Sequence, residues 1–366
     1  MDLNKVRNII NSVKDPDIGI SLKDLDSIDK IEIIDENSAK EVVKIVLKLI
    51  QPIYWVARPI NNLIINELRK EFPNTKFEIL VTEKAQDFNS RPVLPGIKNI
   101  IAVASGKGGV GKSSVAANIA ASLSSMGANV GILDGDITGP SQPTMFDLEG
   151  NKMQAVQFED GTTKAIPTLK HGVNVASMGF ILEQQEAAIV RGPMLAGYFS
   201  MLFEQIHWGN LDFLIFDLPP GTGDIQLTLT QKIPLTGAVV ITTPQEISVA
   251  DVRRSITMFD KVDVDVLGVI ENMSYFVPPD MPDKKYFIFG EGGGESVSKE
   301  MNVDFLGQIP LSMDMREAND GGEPLVIKYP ESKQADQINK ITNNIVSKIR
   351  LKNKELMEVP TVQIKL

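Results

Sequence analysis

Residues 100–114 read Ile-Ile-Ala-Val-Ala-Ser-Gly-Lys-Gly-Gly-Val-Gly-Lys-Ser-Ser. An apolar run over 100–104 reaches a glycine-rich stretch and then Lys112-Ser113. Beyond it, Val115, Ile119 and Leu123 recur every four residues, the spacing of one helix face. The order strand, loop, helix follows. The loop fits G-x-x-x-x-G-K-[ST], a pattern that binds phosphate. Gly106, Gly108, Gly109 and Gly111 let the backbone curl, so the N–H groups from Lys107 through Val110 to Ser114 can turn toward one anion. The start of the helix adds partial positive charge. Lys112 supplies a point charge for the β- and γ-phosphates, and the Ser113 hydroxyl completes a Mg²⁺ shell. ATP and Mg²⁺ are the ligands such a loop predicts.

Composition narrows the classes. A chain of 366 residues has room for two or three domains. The formal net charge of −10 opposes a sequence-independent grip on nucleic acid. No apolar run has the length of a membrane span, and the first residues lack the apolar stretch of a secretory leader, so a cytoplasmic protein with no membrane partner is expected. Cysteine is absent, which removes disulfides, thiolate metal sites and cysteine nucleophiles. The two histidines, His171 and His207, are too few for a histidine-rich metal site.

Along the chain, residues 1–83 read as a small α+β domain. Val6, Ile9, Ile10 and Val13 mark a helix that Asp15-Pro16-Asp17 ends, and runs at 28–34 and 41–50 read as strands. A loop with Tyr54 and Trp55 leads to a helix over 60–72 and a strand over 76–81. Residues 84–98 are a polar, then proline-rich linker. From 99 to 352, strands and helices alternate as in an α/β domain with a mostly parallel sheet flanked by helices. Ile166, Val173 and Val175 suggest short strands forming a hairpin at the sheet edge. Ile338, Ile341, Ile345 and Ile349 face inward on a closing helix, and a charged tail follows from Arg350, with 353–366 outside the domain.

Carboxylates end two of the strands. Asp134 and Asp136 follow 129–133, and Asp217 ends the apolar run 211–216. Strand carboxyl ends are where an open α/β sheet places its chemistry. Asp217 is placed to hold Mg²⁺ through water, and one of the two earlier aspartates to orient a water for attack on phosphorus. Residues 218–224, Leu-Pro-Pro-Gly-Thr-Gly-Asp, can report whether the γ-phosphate is present.

These segments together resemble the Mrp/ApbC group of P-loop ATPases, iron–sulfur cluster carriers of the MinD/ParA-like class. The resemblance rests on Lys107 inside the phosphate loop, 134–141, 218–224 and the string Glu-Asn-Met-Ser at 271–274. It implies a homodimer in which Lys107 reaches the partner's nucleotide, though a lysine there also fits a solvated loop charge. It makes Asp136 the water-positioning residue, Asn272 an adenine contact, and the segment from Pro310 the wall of the adenine pocket. The resemblance also places Arg191-Gly192-Pro193-Met194 near the dimer interface, and Arg191 equally fits a surface charge at a helix start. The N-terminal domain is similar to small iron–sulfur-assembly domains.

One departure is plain. Most of that family carries Cys-x-x-Cys shortly after Asn-Met-Ser, so that two subunits bridge one cluster; here Pro278 and Met281 stand at those places. Thiolates are the usual ligands of such clusters. The resemblance therefore implies a slow Mg²⁺-dependent ATPase acting with scaffold or client proteins in iron–sulfur assembly, without its own cluster site. A MinD/ParA-like positioning switch and a binding module with a structural nucleotide are the alternatives.

Overall fold

The computed structural model describes residues 2–35, 42–84, 93–136, 139–180 and 203–358. These group into two units, Met1–Asp87 with Val346–Leu366 and Phe88–Ile345.

The first unit starts with α1 (Leu3–Ser12), whose first turn is capped by the Asp2 carboxylate accepting from the Asn4 amide at 2.9 Å. Strands β1 (Ile28–Asp35), β2 (Val42–Leu49) and β3 (Lys76–Glu83) form a sheet in that order, β1 antiparallel and β3 parallel to β2. The β2–β3 crossover is α2 (Ala57–Glu71). Along β2, Val43, Ile45, Leu47 and Leu49 alternate into one cluster with Val6 and Ile10 of α1 and Ile60, Ile64 and Leu68 of α2. Period two on the strand and period four on the helix meet there. Asp15 breaks the chain after α1 because its carboxylate accepts from the amides of Asp17 and Ile18, which closes a turn.

Among the described residues, the second unit is built on an eight-stranded sheet. Its strands are β4 (Ile97–Ala104), β5 (Val130–Asp134), β8 (Thr168–Lys170), β9 (Val173–Ser177), β10 (Leu211–Asp217), β11 (Gly237–Thr242), β12 (Val266–Phe276) and β13 (Phe305–Leu311). They lie in the order β13-β12-β11-β4-β10-β5-β9-β8, parallel except for β8 against β9. Strands β4, β5, β10 and β11 are buried from end to end or nearly so. That explains their unbroken apolar runs: both faces of a parallel sheet are covered. The hairpin reading holds for β8 and β9, but Ile166 belongs to a separate pair, β6 (Gln154–Gln157) with β7 (Thr163–Ile166).

Helix α3 (Lys112–Ser125) is buried around most of its circumference, not only on the Val115–Ile119–Leu123 side. Alanines at 116, 117, 120 and 121 allow close approach, and its polar residues find partners: Asn118 Oδ1 accepts from the Val326 amide at 3.1 Å, and Ser122 Oγ donates to Asn339 Oδ1 at 2.6 Å. The other described helices are α4 (Gln142–Met145), α5 (Asp224–Lys232), α6 (Glu246–Asp260), α7 (Gly293–Glu300), α8 (Met313–Asp320), α9 (Leu325–Lys328) and α10 (Lys333–Glu358).

Two boundaries differ from the sequence reading. Strand β4 starts at Ile97, a buried residue, so the α/β region begins before 99. Helix α10 continues to Glu358, so 350–358 is not a loose charged tail. From Val346 onward it belongs to the first unit, replacing the expected end of the α/β domain at 352. Arg350 is fully buried there: Nη1 and Nη2 donate to Asp15 at 3.1 and 2.6 Å, Nη1 to Asp17 at 2.7 Å, and Nε to the Ile50 carbonyl at 3.2 Å. Residues 85–92 of the expected linker, 191–194 and 359–366 lie outside the described residues.

Candidate functional site

Three adjacent strands, β4, β10 and β5, end at one place. Asp217 sits opposite Val103 of β4 on one side and Asp134 of β5 on the other. The chain leaves β4 toward β5 and later returns to β10 between them, then crosses to β11 on the far side of β4. Such a switch point opens a crevice at the carboxyl ends of the strands.

The loop 105–111 fills that end. Gly111, at φ +79°, is the residue before α3, and a Cβ there would overlap the Asn272 amide. A Cβ at Gly106 would overlap Asp251 of α6. Gly111 needs glycine on both backbone and steric grounds, and Gly106 on steric grounds alone. Lys112 is buried; its Nζ donates to Asp217 Oδ1 and, at 3.1 Å, to Ser113 Oγ. Lys112, Ser113 and Asp217 are thus brought together. Ser114 Oγ, by contrast, accepts from Asn319 Nδ2 at 2.7 Å, a structural contact to α8.

Lys107 is half-buried, and no ion pair or hydrogen bond holds its ammonium among the described residues. Its carbonyl accepts from Ser105 Oγ at 2.9 Å. The segment after β10 is tied to the same turn, because the Gly221 amide donates to the Ser105 carbonyl at 2.9 Å. Asn272 Nδ2 donates to the Val110 carbonyl at 2.9 Å, so this side chain fastens β12 to the loop. Pro310 is buried on neighbouring β13, next to Ile309, the strand partner of Asn272.

The two aspartates after β5 separate in role. Asp136 is half-buried and accepts from the Gly139 amide at 3.1 Å. Asp134 is fully buried and accepts from the amides of Asp136, Ser141 and Gln142 and from Ser177 Oγ, at 2.9–3.2 Å. Burial, and then the facing charge of Asp217, push the Asp134 carboxyl up from an ordinary 3.8 to about 7. The folded chain holds this proton more tightly than the unfolded chain, so the contribution is complete below about 3.8 and is lost as pH rises to about 7. In Mg²⁺-free buffer, the urea midpoint of the wild type is expected to fall between roughly pH 5 and pH 8, and that of Asp134→Asn to fall less. Equal slopes in parallel unfolding curves would show that another group carries the dependence.

Sequence reasoning missed Gln142. It is fully buried at the start of α4; Nε2 donates to Asp217 Oδ2 at 2.8 Å and to the Ser113 carbonyl at 3.1 Å. Its one sequence signal is adjacency to Gly139-Pro140-Ser141.

Residues 96–346 match the ParA-type family described as NUBPL iron-transfer P-loop NTPases. The chain belongs to that family. Among relatives of this P-loop NTPase, an iron–sulfur cluster carrier protein of Synechocystis sp. is 43% identical over 353 residues, covering 94% of this chain and 97% of the relative. A nucleotide-binding protein of Archaeoglobus fulgidus, solved in complex with ADP, is 36% identical, with a TM-score of 0.57 over 66% of this chain and 92% of that one. The cell division ATPase MinD of Pyrococcus furiosus, 23% identical over 68% of this chain and 98% of its own, shares the fold at a TM-score of 0.51.

The donor set fits Mg²⁺. Ser113 Oγ and Asp217 Oδ1 both lie within reach of Lys112 Nζ and are hard oxygen donors. Mg²⁺ typically takes one or two such groups, with phosphate and water completing its shell. An iron–sulfur cluster is a different matter: the chain has no cysteine, and among the described residues no group of three or more His, Cys, Asp or Glu side chains gathers to hold a metal. No described helix is long and apolar enough to cross a membrane.

Proposed function

We propose that this NTPase binds MgATP at the 105–114 loop, hydrolyses it slowly as a homodimer, and uses the nucleotide state to regulate its hold on partners in iron–sulfur protein assembly. The observation that carries the reading is the convergence of Lys112, Ser113 and Asp217 at the ends of adjacent strands. Lys112 neutralises phosphate charge, Ser113 and Asp217 hold the cation, and Asp136 orients the attacking water. Mg²⁺ in this place would offset negative charge on the transferring phosphoryl group. Lys107, whose ammonium has no partner among the described residues, acts across the dimer. Asn272 and Pro310 line the adenine side.

The bond from Gly221 to Ser105 gives the switch a physical route. Any shift of residues 218–224 that follows the γ-phosphate pulls on the loop that holds it, and any partner gripping that segment pulls back. The near full-length likeness to a cluster carrier supports the assembly role. With no thiolate available, a cluster handled here is cargo whose ligands come from scaffold or client proteins.

Asp136→Asn tests the hydrolytic part. It is expected to lower turnover by about 10²–10⁴-fold while equilibrium ATP binding stays within about threefold, since the residue orients water and does not bind phosphate. Undiminished turnover in a steady-state phosphate-release assay would move the role away from Asp136.

A further inference from the structure

Gln142 occupies an unusual position in the cluster. Among the described residues its side chain meets the Asp217 carboxylate and the Ser113 carbonyl, and both are acceptors, so Nε2 must face them. Oε1 is then turned away from both, and it is buried with no hydrogen-bond partner among the described residues. The Gln142 amide is spent on Asp134 Oδ2 at 3.0 Å, and Asp134 is itself saturated by donors. Within the Asp134–Asp217–Ser113 cluster, Oε1 is therefore an acceptor still to be answered. Buried polar atoms in native proteins normally have a partner, and an exception calls for one.

We infer that Gln142 is a positioning residue for the hydrated cation: Nε2 locks Oδ2 of Asp217, which aims Oδ1 at the metal, and Oε1 accepts from a water in the metal's shell. Mg²⁺ dehydrates reluctantly, so its site needs acceptors for retained waters as well as direct ligands. A neutral amide oxygen meets that need without adding a third carboxylate beside Asp134 and Asp217. Bracing the ligand through Nε2 is the outer-shell contact that tunes metal affinity elsewhere. The inference rests on the MgATP reading above.

The test is binding of a fluorescent, non-hydrolysable ATP analogue, titrated with Mg²⁺ and repeated in EDTA, for wild type and Gln142→Leu. The Mg²⁺ midpoint is expected to rise about 10-fold in the variant, with EDTA affinity little changed. An unchanged midpoint overturns the inference. So does a parallel fall of EDTA affinity and melting temperature with no separate Mg²⁺ effect, the mark of a merely structural residue. Wild-type binding that ignores Mg²⁺ would overturn the MgATP reading, and the inference with it. A crystal structure of the wild type with Mg²⁺ and the same analogue needs no variant. Oε1 within hydrogen-bond distance of a metal-bound water supports the inference; Oε1 turned onto a protein donor rejects it.

Discussion

Replacing Lys112 with alanine is expected to reduce ATP turnover by about 10²–10³-fold, the scale of losing one donor to charge that develops in the transition state. The side chain is buried and already paired with Asp217, so it meets phosphate as a desolvated cation, where its field is weakly screened. The same substitution leaves Asp217 buried without its cation, which costs about 3–5 kcal/mol of folding stability. The two effects separate experimentally. Lys112→Arg keeps the charge for Asp217 but not the compact ammonium, so it is expected to recover the melting temperature more than the turnover. A Lys112→Ala protein that hydrolyses ATP within about threefold of wild type would remove this loop from the chemistry.

The second large effect lies in the first unit. Arg350→Ala strands Asp15 and Asp17 without their shared cation, and is expected to destabilise that unit by about 3–5 kcal/mol. Asp15 is fully buried and cannot turn to water. Replacing the whole cluster tells the pair's net worth from the cost of an orphan: Asp15→Asn, Asp17→Asn, Arg350→Met is expected to lose much less than Arg350→Ala alone. Urea unfolding followed by Trp55 fluorescence in a Trp208→Phe background reads both. Equal losses in the two proteins would mean that the stranded carboxylates do not carry the effect.

What the sequence made legible is what is contiguous. The phosphate loop, Asp217 after its apolar strand and the Asp134–Asp136 turn each lie within one segment, and the parallel sheet announces itself by strands apolar on both faces. What it hid depends on distant partners. Arg350 looks like a solvated tail charge because its carboxylates lie 335 and 333 residues away. Gln142 is unremarked until Asp217, 75 residues on, is seen to accept from it. Helix α7 begins in a run of glycines that argues against a helix. It forms because the Glu271 carboxylate, buried on β12, accepts from the Gly294 amide at 2.6 Å and caps it. Burial, first of several causes, holds the Glu271 carboxyl above its usual range. The polar side of α3 reads as a solvent face but is covered by α8, α9 and α10 through Ser114, Asn118 and Ser122.

The Asp15–Arg350 pairing has a consequence for biosynthesis. Domains generally fold as they leave the ribosome, the N-terminal one first. Here α1 and its Asp-Pro-Asp turn are made before the nucleotide-binding region, and the guanidinium that neutralises them after it. The first unit therefore waits, with two uncompensated carboxylates, while the entire nucleotide-binding region is translated. A product terminated before Arg350 would carry a finished P-loop together with an N-terminal unit left open to chaperones and proteases.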